Sequence, residues 1–302
     1  MSPYPYPTFA DALVPPTLTK EDLGSEPFEF KWILNGQRAK FWIQRQSFLF
    51  GQIAERPTPY QNANMLALRS LTNNVRMRRV VDVGLNIGMM SAQYAGFADR
   101  VTAFEPTPKL IEMAAKNLVL NNAYQNVDCY ELAIADKSGT MNFSDITDNG
   151  AINRLASDTA HLKTNRKSST CFKVKVETID RFGFDDVDAI KIDTEGSELL
   201  VIQGAVDTIK RCKPIVQAEL MLTTITNWKW PNGSKHHPQD GFDMLANLGY
   251  KMYYSNLLQY PYFRGSETRQ KWVYRKGFSD VFFIHESKIL DKHANEFQKI
   301  YL

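Results

Sequence analysis

From residue 79 onward, short apolar runs rich in valine, isoleucine and phenylalanine alternate with segments of helical spacing, and this alternation restricts the fold more than any other feature. RVVDVG, RVTAFEP and VDCYELAIAD read as strands, with NIGMMSAQYAGF and KLIEMAAKNLVLNN as the helices between them. After an interruption the order resumes: DAIKIDTEG strand, SELLVIQGAVDTIKRC helix, PIVQAEL strand, GFDMLANLG helix, then YKMYYS and DVFFIH as strands. Strands joined through helices need crossover connections, so the sheet should be mostly parallel with helices on both faces. The last two strands have no helix between them and are free to pair antiparallel. The expectation is an α/β fold built on a doubly wound, seven-strand sheet.

The flanks divide the chain into residues 1–60, 61–288 and 289–302: an N-terminal arm with a β-hairpin, the alternating domain, and a C-terminal tail. PYPYPTF and VPPT are proline-dense and suit an extended arm. FEFKWIL and AKFWIQ are β-type runs joined through NGQR, where Asn35-Gly36 fits the positive φ angles of a hairpin turn. NANMLALRSLTNNVRMRR has helical spacing, and its Arg76, Arg78 and Arg79 read as a solvated helix end. Between GTMNFSD and FKVKVETID lies a polar excursion from the main pattern. A net charge of +3 and a pI near 8.6 do not by themselves call for a nucleic-acid partner. Cys129, Cys171 and Cys212 form no CxxC pair, which argues against a disulfide framework or a zinc site. Without a leader of secretory type or about 18 continuous apolar residues, a cytoplasmic protein with no membrane partner is expected.

VVDVGLNIGMMS, residues 80–91, ends a strand in a turn with glycines at 84 and 88. Such a turn brings bare main chain up to a ligand at the carboxyl edge of an open α/β sheet. The spacing Asp82-x-Gly84-x-Asn86-x-Gly88 is not the GxGxxG of dinucleotide folds, and it lacks the GK[ST] of a triphosphate cradle. About twenty residues on, VTAFEP ends the second strand in Glu105, placed to accept hydrogen bonds from ribose hydroxyls. An adenosine-bearing ligand without phosphates fits both, and S-adenosyl-L-methionine is that ligand.

VVDVGLNIGMMS, FEPTP, NLVLNN, ELAIAD, ETID and above all IKIDTEGSELLVIQGA resemble the FkbM-type S-adenosylmethionine-dependent methyltransferases over about residues 79–220. The resemblance implies a class I methyltransferase Rossmann-like fold and, usually, O-methylation of sugars or natural products. Asp82, Gly84, Asn86, Gly88, Ser91, Glu105, Pro106 and Ala133 would then line the methyl-donor site. Residues 1–60 and 222–302, where acceptor choice would reside, carry no part of it.

IKIDTEGSE puts Asp193 at the mouth of the fourth strand and Glu195 and Glu198 at the start of the next helix. Methyl transfer from a sulfonium is an in-line displacement, governed by alignment, and a hydroxyl acceptor must also lose a proton. Asp193 is the candidate to accept it, tuned upward by neighbouring acids; Glu195 is a second candidate, and Glu198 reads as a helix N-terminal acid. A rival use of this edge is a Mg²⁺ site on Asp193 and Glu219, which is not favoured. His236 and His237 sit in a polar loop and read as solvent-exposed. At the strand end Asp193-Thr194-Glu195-Gly196 lacks the Pro-Pro-aromatic turn of amino-group methylation, and no Pro-Cys occurs, so oxygen is the preferred acceptor atom.

Residues 251–276 form an aromatic, basic insertion between the last two strands, with Tyr254, Arg264 and Trp272 as candidate acceptor contacts. Three readings follow: an O-methyltransferase acting on a saccharide-type or other small hydroxylated acceptor, a nucleic-acid methyltransferase using this insertion and the 76–79 arginines, or a non-catalytic donor-binding module.

Overall fold

A computed structural model describes residues 26–45, 47–145, 154–156, 170–220, 238–254 and 279–288. A hairpin of β1 (Phe28–Leu34) and β2 (Gln37–Phe41) is followed by helices α1 (Phe48–Ile53) and α2 (Asn62–Leu71). The alternation begins with β3 (Met77–Val83), α3 (Met89–Tyr94), β4 (Ala98–Phe104), α4 (Pro108–Leu120) and β5 (Val127–Tyr130). Next come β6 (Ala133–Ile134), β7 (Gly139–Asp145), β8 (Arg154–Ala156), β9 (Thr170–Glu177) and β10 (Val187–Ile192). The rest is α5 (Glu198–Gln203), α6 (Val206–Cys212), β11 (Ile215–Leu220), α7 (Pro238–Asn247), β12 (Tyr250–Tyr254) and β13 (Ser279–His285).

The main sheet has seven strands in the order β12-β13-β11-β10-β3-β4-β5. All neighbours pair parallel except β13, which runs antiparallel to both β11 and β12. This is the doubly wound class I arrangement expected from the alternation, down to the reversed last strand. From β3 the chain steps outward through β4 and β5, then returns to β10 on the opposite side of β3. The carboxyl ends of β3 and β10 therefore flank a topological switch point, where open α/β sheets place their ligands.

Strands buried on both faces carry near-continuous apolar runs, and these do. One face sets Val80, Val101, Ala189, Ile215 and Phe282 in a core shared with α3, α4 and the hairpin. The other sets Val81, Phe104, Ile190, Val216 and Phe283 against residues of α5, α6 and α7. One rung of the first face breaks the pattern: Asp82, Lys191 and Gln217 are paired neighbours on β3, β10 and β11, and all three are buried.

The hairpin turns at Asn35 and Gly36 with φ of 48° and 84°, the two positive values of a type I′ turn. Phe30, Trp32, Leu34, Ala39 and Phe41 face inward, so the hairpin completes the core rather than standing off it. Along β2 and just past its end, the outer edge is satisfied by two side chains one helical turn apart. Asn117 accepts from the Trp42 N–H (2.6 Å) and donates to the Trp42 carbonyl (3.0 Å). Asn121 accepts from the Lys40 N–H (3.0 Å) and donates to the Lys40 carbonyl (2.6 Å).

Three elements differ from the sequence expectation. VDCYELAIAD is two strands: β5 joins the main sheet, whereas β6 opens a second sheet of order β6-β9-β7-β8. The helix over 197–212 breaks into α5 and α6 at Gly204, where an added β-carbon would lie 2.0 Å from the Ala135 carbonyl oxygen. The segment ending in Arg76, Arg78 and Arg79 is not one helix. Asn73 and Asn74 adopt left-handed φ of 55° and 57° beyond α2, and the chain then enters β3. Its arginines are paired: Arg76 with Asp99 (2.5 Å), Arg78 with Asp188 (2.7 Å) and the buried Arg79 with Asp186 (2.7 Å). Cys129 and Cys212 are free thiols, and among the described residues no helix is long and apolar enough to cross a membrane. The arm, the loop with His236 and His237, most of the aromatic insertion and the tail lie outside the described residues.

Candidate active site

The loop leaving β3 alternates left-handed residues: φ is 89° at Gly84, 52° at Asn86 and 83° at Gly88. A side chain at either glycine would also meet neighbours within the protein. A β-carbon on Gly84 would lie 1.9 Å from the Asp193 carbonyl oxygen, and one on Gly88 would lie 3.2 Å from the Ala114 β-carbon of α4. The loop N–H groups are also committed internally. Those of Gly84 and Leu85 donate to the Phe104 carbonyl, and that of Gly88 to the Leu85 carbonyl. The Asn86 N–H donates to Glu105 Oε2 (3.0 Å), and the Ile87 N–H to Asn86 Oδ1 (2.7 Å).

Glu105 follows β4 and is 5% exposed. Its second oxygen accepts from the Thr107 N–H (2.9 Å). Burial pushes this carboxyl above its ordinary range, opposed by the Thr107 side chain, the Thr107 and Asn86 N–H groups and Lys191. With one N–H on each oxygen, the carboxylate retains further lone pairs. Pro106 beside it is half-buried, and Ala133 is buried in β6 opposite Val176.

At the centre lies a residue that the sequence reading passed over. Lys191 is buried in β10 beside Asp82, and its Nζ donates to the Gly84 carbonyl (2.8 Å). The same nitrogen stands 3.3 Å from Asp82 Oδ1 and 3.4 Å from Asp193 Oδ2. Burial pulls the ammonium down, but Asp82 and Asp193 outweigh it and hold it above the ordinary lysine range. Asp82 has no exposed surface; Ser91 Oγ donates to its Oδ2 (2.6 Å). Burial pushes the Asp82 carboxyl up, against the pull of Lys191 and Ser91. The available signal was a lysine within the apolar run AIKI.

Asp193 is 23% exposed, and its N–H donates to the Val83 carbonyl (3.0 Å). Neighbouring acids were expected to act on it, yet the charge in direct contact is the Lys191 ammonium. Glu198, read as a helix N-terminal acid, is the first residue of α5, and its side chain also folds back to brace the preceding turn. Its Oε1 accepts from the Gly196 N–H (2.9 Å), the Thr194 N–H (3.2 Å) and the Thr194 hydroxyl (3.1 Å). Burial pushes its carboxyl up while those N–H groups lower it. The braced turn carries Glu195, half-buried, at a left-handed φ of 55°.

The Methyltransferase FkbM domain family matches residues 82–252, more than half of the chain. The chain belongs to the FkbM methyltransferase family. Methyltransferase sdnD of Sordaria araneosa is 26% identical over 156 residues, covering 41% of this chain and 59% of that protein. Among solved structures, a methyltransferase FkbM from Methylobacillus flagellatus KT is 16% identical with a TM-score of 0.40, covering 68% of this chain and 43% of its own. A magnesium protoporphyrin IX methyltransferase from Synechocystis PCC 6803 is 11% identical with a TM-score of 0.37, covering 75% and 79% respectively. The chain thus spans less than two thirds of the sdnD and Methylobacillus FkbM proteins it matches.

In this FkbM domain the switch point gathers Asp82, Gly84, Asn86, Gly88, Ser91, Glu105 and Asp193, with Lys191 added. It does not gather Tyr254, which ends β12 opposite Val281; β12 is three strands from β10, about 14 Å at ordinary strand spacing. Arg264 and Trp272 lie outside the described residues. Register puts the main chain of Glu219 beside that of Asp193, but its side chain is outside the described set. Among the described residues no three of His, Cys, Asp and Glu are placed to hold a metal ion.

Proposed function

We propose that this FkbM domain binds S-adenosyl-L-methionine at the β3/β10 switch point and transfers its methyl group to a hydroxyl oxygen of a small, saccharide-type acceptor. The carrying observation is how the 84–88 loop uses its donors: every N–H group is bonded within the protein. A phosphate site needs free N–H groups or a cation aimed at the ligand. Lys191, the cation beside this loop among the described residues, is buried and held by three oxygens. What faces a ligand is bare main chain flanked by carboxylates, an environment suited to a cationic, phosphate-free nucleoside.

Glu105 would hold the ribose hydroxyls on its remaining lone pairs, while Gly84 and Asn86, half-buried, would lie along the donor. When bound, the cofactor supplies a methyl group on a positively charged sulfur. Asp193 then has two tasks for which its partial exposure suits it: to orient the acceptor hydroxyl and to take its proton as the O–C bond forms and the C–S bond breaks. A nucleic-acid acceptor is disfavoured because the 76–79 arginines begin β3, at the opposite edge of the sheet, and are ion-paired there.

Incubation with methyl-labelled S-adenosylmethionine and a panel of sugars, natural-product alcohols and RNA tests the reading. Label should enter a hydroxylated small molecule and be lost with Asp193→Asn. Label in RNA alone, or donor binding with no transfer to any hydroxyl, contradicts it.

A further inference from the structure

Lys191 is a lysine the proposed chemistry does not call on, in a place where a lysine is costly. Its side chain is 5% exposed in a central strand. Its ammonium donates to the Gly84 carbonyl of the loop after β3 and is ion-paired with Asp82 of β3 (3.3 Å) and Asp193 of the loop after β10 (3.4 Å), three oxygens from different parts of the site. Those two loops are already in main-chain contact, since Asp193 leaves no room for a β-carbon on Gly84. Three electron-rich oxygens thus converge on one buried point that the ammonium fills.

We propose that Lys191 is the positioning residue of this site, a fixed cation that binds the donor loop and the Asp193 loop into one rigid jaw and sets the direction of the Asp193 carboxylate. The inference rests on the donor site proposed above. The charged and titratable groups facing the ammonium are Asp82, Asp193, Glu105 of the β4 loop and Tyr94 of α3, with Cys129 of β5 behind Asp82. Ser91 braces Asp82 from α3, and the uncharged Gln217 is the rung neighbour on β11.

A specific charge signature follows. In Lys191→Met the three oxygens lose their cation, and above neutral pH two carboxylates are left facing each other and the Gly84 carbonyl. A proton on one carboxyl can partly replace the ammonium, so the defect should ease as pH falls. In Asp82→Asn/Lys191→Met a charge is removed from each side, and the amide can donate to the oxygens that remain.

Calorimetric titration of S-adenosylhomocysteine into wild type and Lys191→Met, with thermal melting of these and of the double variant, tests this at about pH 8 and about pH 6. We expect Lys191→Met to bind at least about tenfold more weakly than wild type at the higher pH and to recover much of that ratio at the lower. In the double variant, which also alters Asp82 of the donor site, the melting midpoint rather than donor affinity should recover at both. Equal affinity of Lys191→Met and wild type, or a loss in Lys191→Met that is equal at both pH values, overturns the proposal. If wild type itself does not bind, the donor reading has failed separately. Thermal melting of the same proteins then decides the clamp: the midpoint deficit of Lys191→Met must shrink on acidification and in the double variant. If Lys191→Met does not fold, the double variant must, or the clamp is overturned.

Discussion

Gly84 and Asp193 touch through their main chains: a β-carbon on the glycine would lie 1.9 Å from the Asp193 carbonyl oxygen. The loops that leave β3 and β10 are therefore one packed unit at the switch point, with no side chain able to pass between them.

This contact predicts a severe effect for Gly84→Ala. The substitution combines a left-handed φ with a backbone collision, and the loss should exceed about 4 kcal/mol or prevent folding. Gly88→Ala shares the left-handed φ (83°) but meets Ala114 only at 3.2 Å and beyond, and should cost about 1–3 kcal/mol. Urea melts of the two variants check the ranking.

Asn117 is buried and ties three places together: the Trp42 N–H, the Trp42 carbonyl and the Ile87 carbonyl of the donor loop (2.8 Å). Asn117→Leu keeps the branched skeleton but strands those groups, at a cost of about 3–5 kcal/mol. Because one partner lies in the donor loop, affinity for S-adenosylhomocysteine should fall as well. Denaturation and calorimetry on the same variant test both effects.

Asp188 provides a pH prediction remote from the site. Burial raises its carboxyl, but the Arg78 side chain and N–H overcome that, so its folded-state value lies below the ordinary one. A lowered carboxyl contributes stability that is fully present above the unfolded value of about 3.9 and is lost as pH falls through the folded value. Arg78 is 56% exposed, so the contribution is discounted to about 1 kcal/mol. Asp188→Asn should be less stable than wild type by about that amount at neutral pH, and the gap should close below about pH 3.

Much of the fold was legible because its signals are local. Asn35-Gly36 specifies the hairpin turn, and the missing helix between YKMYYS and DVFFIH already allowed the reversed β13. The misreadings were cases where a distant partner decides. Nothing within VDCYELAIAD says that its second half joins another sheet, and nothing near Arg78 and Arg79 reveals Asp188 and Asp186. Lys191 was missed for the same reason: its meaning appears only once register sets it beside Asp82 and loop packing brings Gly84 and Asp193 to its ammonium. Asn117 and Asn121 stand one helical turn apart in NLVLNN, and nothing in that segment reveals the strand edge they complete.

The central claim is that the β3 loop and Glu105 form the seat of a sulfonium nucleoside. Calorimetric titration of S-adenosylhomocysteine into wild type, Glu105→Ala and Asp188→Asn tests it most directly. The account predicts one saturable site on wild type, an affinity at least about tenfold weaker in Glu105→Ala through lost charge-assisted hydrogen bonds, and no change in Asp188→Asn at neutral pH. No binding heat with folded wild-type protein, or equal affinity in Glu105→Ala, would contradict it.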